Sequence, residues 1–202
     1  MEDDMFRSVA RPASIQIKVT GSRFLAETIP VVNEDQVETQ VERIRRREFN
    51  ATHHCTAYRL GIDADIFRFN DDGEPSGTAG RPILRQIESR ELTNTLVVVT
   101  RYFGGTKLGT GGLMRAYGDA ASGVLEKAGF SVKVISEHLL VSFDYDDTSP
   151  AMHVIDRFDA EVVDSSYTET IELKIAVPRS RALTFEAAFV DALGGRGQAR
   201  RV

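Results

Sequence analysis

Residues 95–129, TLVVVTRYFGGTKLGTGGLMRAYGDAASGVLEKAG, leave the chain few folds to choose from. Val97, Val98 and Val99 run without a polar break, the mark of a strand buried on both faces rather than one. Five glycines then fall between Gly104 and Gly112. The segment after them repeats apolar residues at Met114, Tyr117, Ala121, Val124, Leu125 and Ala128, near one helical stripe, and Gly129 suits the helix end. A doubly covered strand running through a tight turn into a long helix requires a layered fold with a sheet inside.

The rest of the chain supplies the other layers. SIQIKVT alternates Ile15, Ile17 and Val19 and reads as a strand. Gly21-Ser22 turns it into a second strand, RFLAETIPVV, so the two form a hairpin. NEDQVETQVERIRRREF reads as a helix, with Val37, Val41, Ile44 and Phe49 near the helical period. Asn33 is its cap, Glu34 and Asp35 lie in its first turn, and Arg45, Arg46 and Arg47 in its last. HCTAYRL and DIFRF read as strands around Gly61, and Arg81-Pro82 opens a short helix. Residues 1–13 read as a loose start.

Charge marks a division. The first 135 residues carry 18 basic and 18 acidic side chains, whereas residues 136–202 carry 7 and 12. The net charge of -5 argues against a strongly basic nucleic-acid binder but leaves room for a local basic patch. Two domains are expected, 1–133 and 134–202. In the second, SEHLLVSFDY, AEVVDSSYT and ETIELKIAVP read as strands. TSPAMHVIDRF is a helix capped by Thr148 or Ser149. SRALTFEAAFVDAL is a helix capped by Ser180 and stopped at Gly194-Gly195. With GQARRV as a last edge strand, the order is that of a split βαβ, or ferredoxin-like, domain. Cys55 is the single cysteine, so no intrachain disulfide can form. No apolar run approaches a membrane span, and no secretory leader is evident, so a cytoplasmic protein is expected.

Two loops carry candidate chemistry. The first is glycine-rich: Arg101, Gly104, Gly105, Lys107, Gly109, Gly111, Gly112 and Arg115. It fails the Walker pattern, because Thr110 stands where lysine is needed, and the dinucleotide pattern, because Met114 stands where glycine is needed. Backbone N–H groups at a glycine-rich helix start still favour an anion, and the three cations would reinforce it. The bland alternative is a tight turn with incidental charge. The second loop, NDDGEPSGTAG, offers carboxylates at Asp71, Asp72 and Glu74 and hydroxyls at Ser76 and Thr78. These suit acid–base work or Mg²⁺, although the same residue types also simply make turns. His53-His54-Cys55 is a poor metal cluster, since only His53 and Cys55 share one side of a strand. No metal site, cofactor or catalytic residue is assigned.

DDGEPSGTAGRPIL (71–84) and VVVTRYFGGTKLGTGGLMRAYGDAA (97–121) together resemble the signature of the IMPACT/YigZ family, also called UPF0029. NATHHCTAYRLG (50–61) and KVTGSRFLAETIPV (18–31) resemble its other blocks in the same order. The likeness implies an α+β protein with an N-terminal ribosomal-protein-S5-domain-2-like domain followed by a ferredoxin-like domain. It implies a link to translation, since the eukaryotic relatives regulate that process. The expected role is therefore a non-enzymatic, translation- or ribosome-linked protein that binds RNA phosphate, or an anionic partner, through the glycine-rich loop, with RNA or a ribosome-associated protein as the expected partner. An enzyme acting on a small phosphorylated ligand and a purely structural interaction module are the alternatives. The oligomeric state is not legible.

Overall fold

A computed structural model describes residues 4–202. Its elements in chain order are β1 (Met5–Val9), β2 (Ala13–Val19), β3 (Ser22–Pro30), α1 (Glu34–Arg47), β4 (His53–Leu60), β5 (Ile66–Asn70), α2 (Gly80–Glu88), β6 (Thr95–Tyr102), α3 (Gly109–Ala128), β7 (Phe130–Val134), β8 (Ser136–Phe143), α4 (Thr148–Arg157), β9 (Glu161–Tyr167), β10 (Ile171–Pro178), α5 (Ala182–Ala192) and β11 (Gln198–Arg201). Contacts divide the chain into two units. One is Phe6–Lys133; the other is Val134–Val202 together with Asp4 and Met5. The fold class is α+β.

The larger unit is built on a five-stranded sheet ordered β2-β3-β6-β4-β5. Every pairing in it is antiparallel. The valine run therefore lies in the central strand of an antiparallel sheet. Both its faces are covered, which is why it lacks alternation. On one side Val97 and Val99 pack with Phe24, Ile83, Leu84 and the α3 stripe. On the other, Leu96 and Val98 meet Val37 and Ile44 of α1. The expected loose start is ordered over Met5–Val9, where β1 pairs with β7 in a separate two-stranded ribbon, and its first three residues lie outside the described residues.

Helix α1 begins as its sequence requires. The Asn33 side chain accepts a hydrogen bond from the Gln36 N–H at 2.9 Å, and the Gln36 side chain reaches back to the Val32 N–H at 3.0 Å. Each arginine of the last turn meets a carboxylate: Arg45 on Asp72, Arg46 on Glu42, and Arg47 on Glu27 and Glu48. Phe49 lies beyond the helix and is 75% exposed, outside the core its spacing suggested. Gly129 ends α3 with φ of 66°. The helix starts at Gly109, inside the glycine run, and Met114 is exposed rather than part of the buried stripe.

The smaller unit has a four-stranded sheet ordered β11-β8-β10-β9, the split βαβ plan with the last strand at an edge. Its antiparallel registers run Ile175↔Leu139 and Ile171↔Tyr167. Phe143 of β8 and Phe185 and Phe189 of α5 anchor its core. Ser180 does not cap α5, which begins after Arg181. Its N–H donates to the Asp4 carboxylate at 2.8 Å and its hydroxyl meets the other oxygen. This hydrogen bonding holds the Asp4 carboxyl below the usual carboxylate range.

Candidate functional site

Strand alternation decides what the glycine-rich loop can present. Val97, Val99 and Arg101 point to the same side of β6, the side that packs against α2 and α3. Arg101 is thus carried inward, and its side chain is only 6% exposed. A buried guanidinium needs a carboxylate. Glu74, 4% exposed, supplies it at 2.6 Å. The second Arg101 amino group donates to the Ser22 hydroxyl at 3.3 Å, and the Gly104 N–H donates to the same oxygen at 3.2 Å. One arginine therefore ties together the β2–β3 turn, the acidic loop and the start of the glycine loop. The expectation that Arg101 offers a free cation to a ligand is not met, because its core-facing register pairs it with Glu74.

The acidic loop is equally committed. Asp71 accepts from the N–H groups of Gly77, Ala79 and Gly80 at 2.8, 3.0 and 2.8 Å, closing the loop and capping α2. Asp72 accepts from Arg45 and from the His54 N–H, each at 2.6 Å. Thr78 donates to the Pro75 carbonyl at 2.6 Å, and Ser76 is exposed. The paired aspartates are thus occupied by main chain and arginine. Among the described residues, no group of three or more His, Cys, Asp or Glu is placed to hold a metal ion.

Three residues that the sequence did not bring together complete this cluster. The Tyr117 hydroxyl donates to Glu74 at 2.8 Å. His53 places Nε2 3.8 Å from Glu74, and its Nδ1 lies 2.8 Å from the Asp72 carbonyl, so Nδ1 carries the proton there. The Cys55 thiol sits 3.1 Å from the Asp71 carbonyl and 3.3 Å from Tyr117. Burial pushes that thiol up to about 12, and burial likewise raises Tyr117. Both stay protonated at neutral pH, which removes Cys55 as a nucleophile.

His54 points to the opposite face and its Nε2 is buried without a partner. Burial holds the imidazole below its ordinary value, against the opposing pull of Asp72. The unfolded chain therefore takes up a proton that the folded protein refuses. Stability should fall as pH drops below about 6.5, by at most about 1.4 kcal/mol per pH unit from this group. Urea midpoints at pH 7.5 and 5.5 test this: the fall should be smaller in His54→Gln than in the native protein. Equal falls would assign the acid sensitivity elsewhere.

The two loops meet in a single cleft of about 340 Å³. Glu74 and Pro75 form one wall, and Lys107, Leu108, Gly109 and Thr110 the other, with Arg101, Phe103 and Leu113 between. Lys107, Gly109, Thr110, Gly111 and Arg115 are exposed. Gly104 and Gly105 are exposed too, and Gly112 is half-buried. Gly104 is required by packing, because a Cβ there would lie 2.0 Å from the Gly21 carbonyl carbon. Gly109 has φ of 69°, whereas a Cβ on Gly111 would meet nothing within 4 Å. No side chain caps the first turn of α3. In the same unit, α1 and α2 are capped by Asn33 and Asp71. The α3 start is thus a bare, exposed set of N–H groups between Lys107 and Arg115.

Residues 20–125 match the model of the Impact N-terminal domain, and residues 141–196 match a domain of unknown function, DUF1949. The chain is 34% identical to the IMPACT family member YvyE of Bacillus subtilis over 181 residues, covering 90% of this chain and 83% of that protein. It is 30% identical to the IMPACT family member YigZ of Escherichia coli over 184 residues, covering 90% of each. A crystal structure of a hypothetical protein superposes with a TM-score of 0.71 at 28% identity, covering 98% of both chains. No helix among the described residues is long and apolar enough to cross a membrane.

Proposed function

The chain belongs to the IMPACT family, and from that premise we propose that it is a translation-linked binding protein whose glycine-rich loop takes a phosphate of RNA. One observation carries the reading: the α3 start is uncapped and exposed, with Lys107 and Arg115 beside it. Aligned N–H groups at such a start attract negative charge. The carboxylates nearest to it do not compete. Glu74 is held by Arg101, Asp71 is turned into the acidic loop, and Asp72 is held by Arg45 and the His54 N–H. The link to translation is proposed from the family resemblance, and a ribosome-associated setting in the cytoplasm is part of the same proposal.

A salt series with single-stranded RNA tests it. A Lys107→Ala/Arg115→Ala variant should bind more weakly, and its plot of log affinity against log salt should be shallower by about 1.4, the value for two lost phosphate contacts on a single strand. Equal slopes for variant and native protein would remove the loop as the phosphate site.

The shared cleft favours a second reading, an enzyme acting on a small phosphorylated ligand. Glu74 and His53 stand 3.8 Å apart beside it. Nucleotides and sugar phosphates that raise the melting temperature of the free protein would favour this reading, because a ligand bound only to the folded state stabilises it.

A further inference from the structure

We propose that the larger unit carries a second phosphate-binding surface, on the open face beside β2 and β3, and that it holds the same single-stranded RNA further along its backbone. This rests on the glycine-loop reading and extends it. Helix α1 packs its Val37 and Ile44 over Tyr58, Leu60, Leu96 and Val98, that is, over β4 and β6. On β2 the residues Ile15, Ile17 and Val19 face α3. Their alternates Ser14, Gln16 and Lys18 therefore point to the α1 side, and all three are exposed. On β3 the helix reaches Ile29, and its Arg47 pairs with Glu27, so α1 covers part of that strand and the β2 edge of the face, with Ser14, Gln16 and Lys18, stays open.

Cations gather at both ends of this open strip. At the start of β2 lies a groove of about 460 Å³ whose walls include Arg11, Ser14, Thr28, Arg43 and Lys127. Lys127 reaches it from the last turn of α3, donating to the Ser14 carbonyl at 2.9 Å. The one carboxylate in the groove, Glu27, is taken by Arg47. Arg11 and Arg43 enter no ion pair among the described residues. At the other end Lys18 sits opposite Arg23, whose guanidinium stacks 4.1 Å over the Tyr102 ring. Tyr102 is the last residue of β6, from which the glycine loop departs. Seven residues of β2 span about 23 Å, so groove and loop lie several nucleotides apart along one strand.

Single-stranded RNA is the occupant that uses all of these groups. Its phosphates match Arg11, Arg43, Lys18 and Lys127, and its bases offer flat faces to the Arg23–Tyr102 stack. An acidic protein segment would use the charge alone.

The test compares a 4-nucleotide and a 12-nucleotide RNA, both photo-crosslinkable, on three proteins: native, Arg11→Ala/Arg43→Ala and Lys107→Ala/Arg115→Ala. Both lengths lie within the range of known single-strand sites, about 4–16 nucleotides. The native protein should bind the longer RNA about tenfold more tightly. Arg11→Ala/Arg43→Ala should lose most of that gain, with a salt slope shallower by about 1.4, and should bind the 4-mer unchanged. Crosslinks from the 12-mer should fall near residues 11–18 as well as 103–115. Native affinity of Arg11→Ala/Arg43→Ala for the 12-mer, or crosslinks confined to 103–115, would overturn the second surface and leave the loop. A Lys107→Ala/Arg115→Ala variant with native 4-mer binding would instead overturn the loop reading. Competition by poly-glutamate as effective as by RNA of equal charge would overturn RNA as the occupant.

Discussion

Glu74→Gln should destabilise the protein by about 3–5 kcal/mol, the penalty for leaving one member of a buried ion pair without its partner. The side chains of Glu74 and Arg101 are 4% and 6% exposed, so water cannot take over the role of the lost carboxylate. Glutamine preserves the shape and can still accept from Tyr117, which isolates the charge as the variable. The reverse change, Arg101→Met, should cost a similar amount, because it leaves Glu74 buried beside a tyrosine and a histidine. A double variant, Glu74→Gln/Arg101→Met, should lie much closer to the native protein than the two single losses added together, since paired removal eliminates both buried charges and their desolvation penalties. Urea denaturation of the four proteins measures the coupling directly. A coupling below about 0.5 kcal/mol, the usual additivity error, would mean that the pair does not clamp the two loops. Because typical domains are stable by only about 5–15 kcal/mol, the single variants should also show faster proteolysis.

This clamp also shows where the sequence was readable and where it was not. The β2–β3 hairpin, the Asn33 cap and the Gly129 stop follow from local chemistry, and each stands in the structure. β1 is not legible in the sequence, because MFRSV has no alternation of its own and its partner, β7, lies more than a hundred residues away. The valine run announced burial on both faces but carried no information on strand direction. Arg101 differs, because the signal for its inward direction is present in the sequence. The two-residue period that pairs Val97 with Val99 continues to Arg101, so its inward direction could have been deduced, and a buried arginine demands a carboxylate. Asp71 and Asp72 suggest an acid pair by adjacency, yet aspartate among glycines and a proline is equally a loop-closing acceptor for main-chain N–H groups, the role Asp71 takes. Tyr117, His53 and Ser22 come from three separate segments, and only the sheet register and the packing of α3 on the sheet bring them to Glu74 and Arg101. The spacing of those residues in the chain holds no trace of that meeting.

The glycines of the loop serve different ends, and substitution should separate them. Gly104→Ala would place a Cβ 2.0 Å from the Gly21 carbonyl carbon, 2.1 Å from its oxygen and 2.3 Å from the Ser22 nitrogen. All three are main-chain atoms, so no rotamer change relieves the overlap. The β2–β3 turn and the β6 exit must move apart, breaking the shared contacts of Ser22 with Gly104 and Arg101. A loss of about 3 kcal/mol is expected, at the upper end for overpacking, visible as a lower urea midpoint. At Gly111 an added Cβ meets nothing within 4 Å and φ is not positive. Alanine there should stabilise α3 by about 1 kcal/mol. If a phosphate seats on the bare helix start, the same alanine should nonetheless weaken RNA binding, by crowding the N–H groups it stabilises. A glycine retained where alanine would make a better helix then has a functional cause. Gly111→Ala that gains stability and keeps native RNA affinity would show that no ligand approaches that stretch of main chain. Gly104→Ala with native stability would show that the two turns are not locked together.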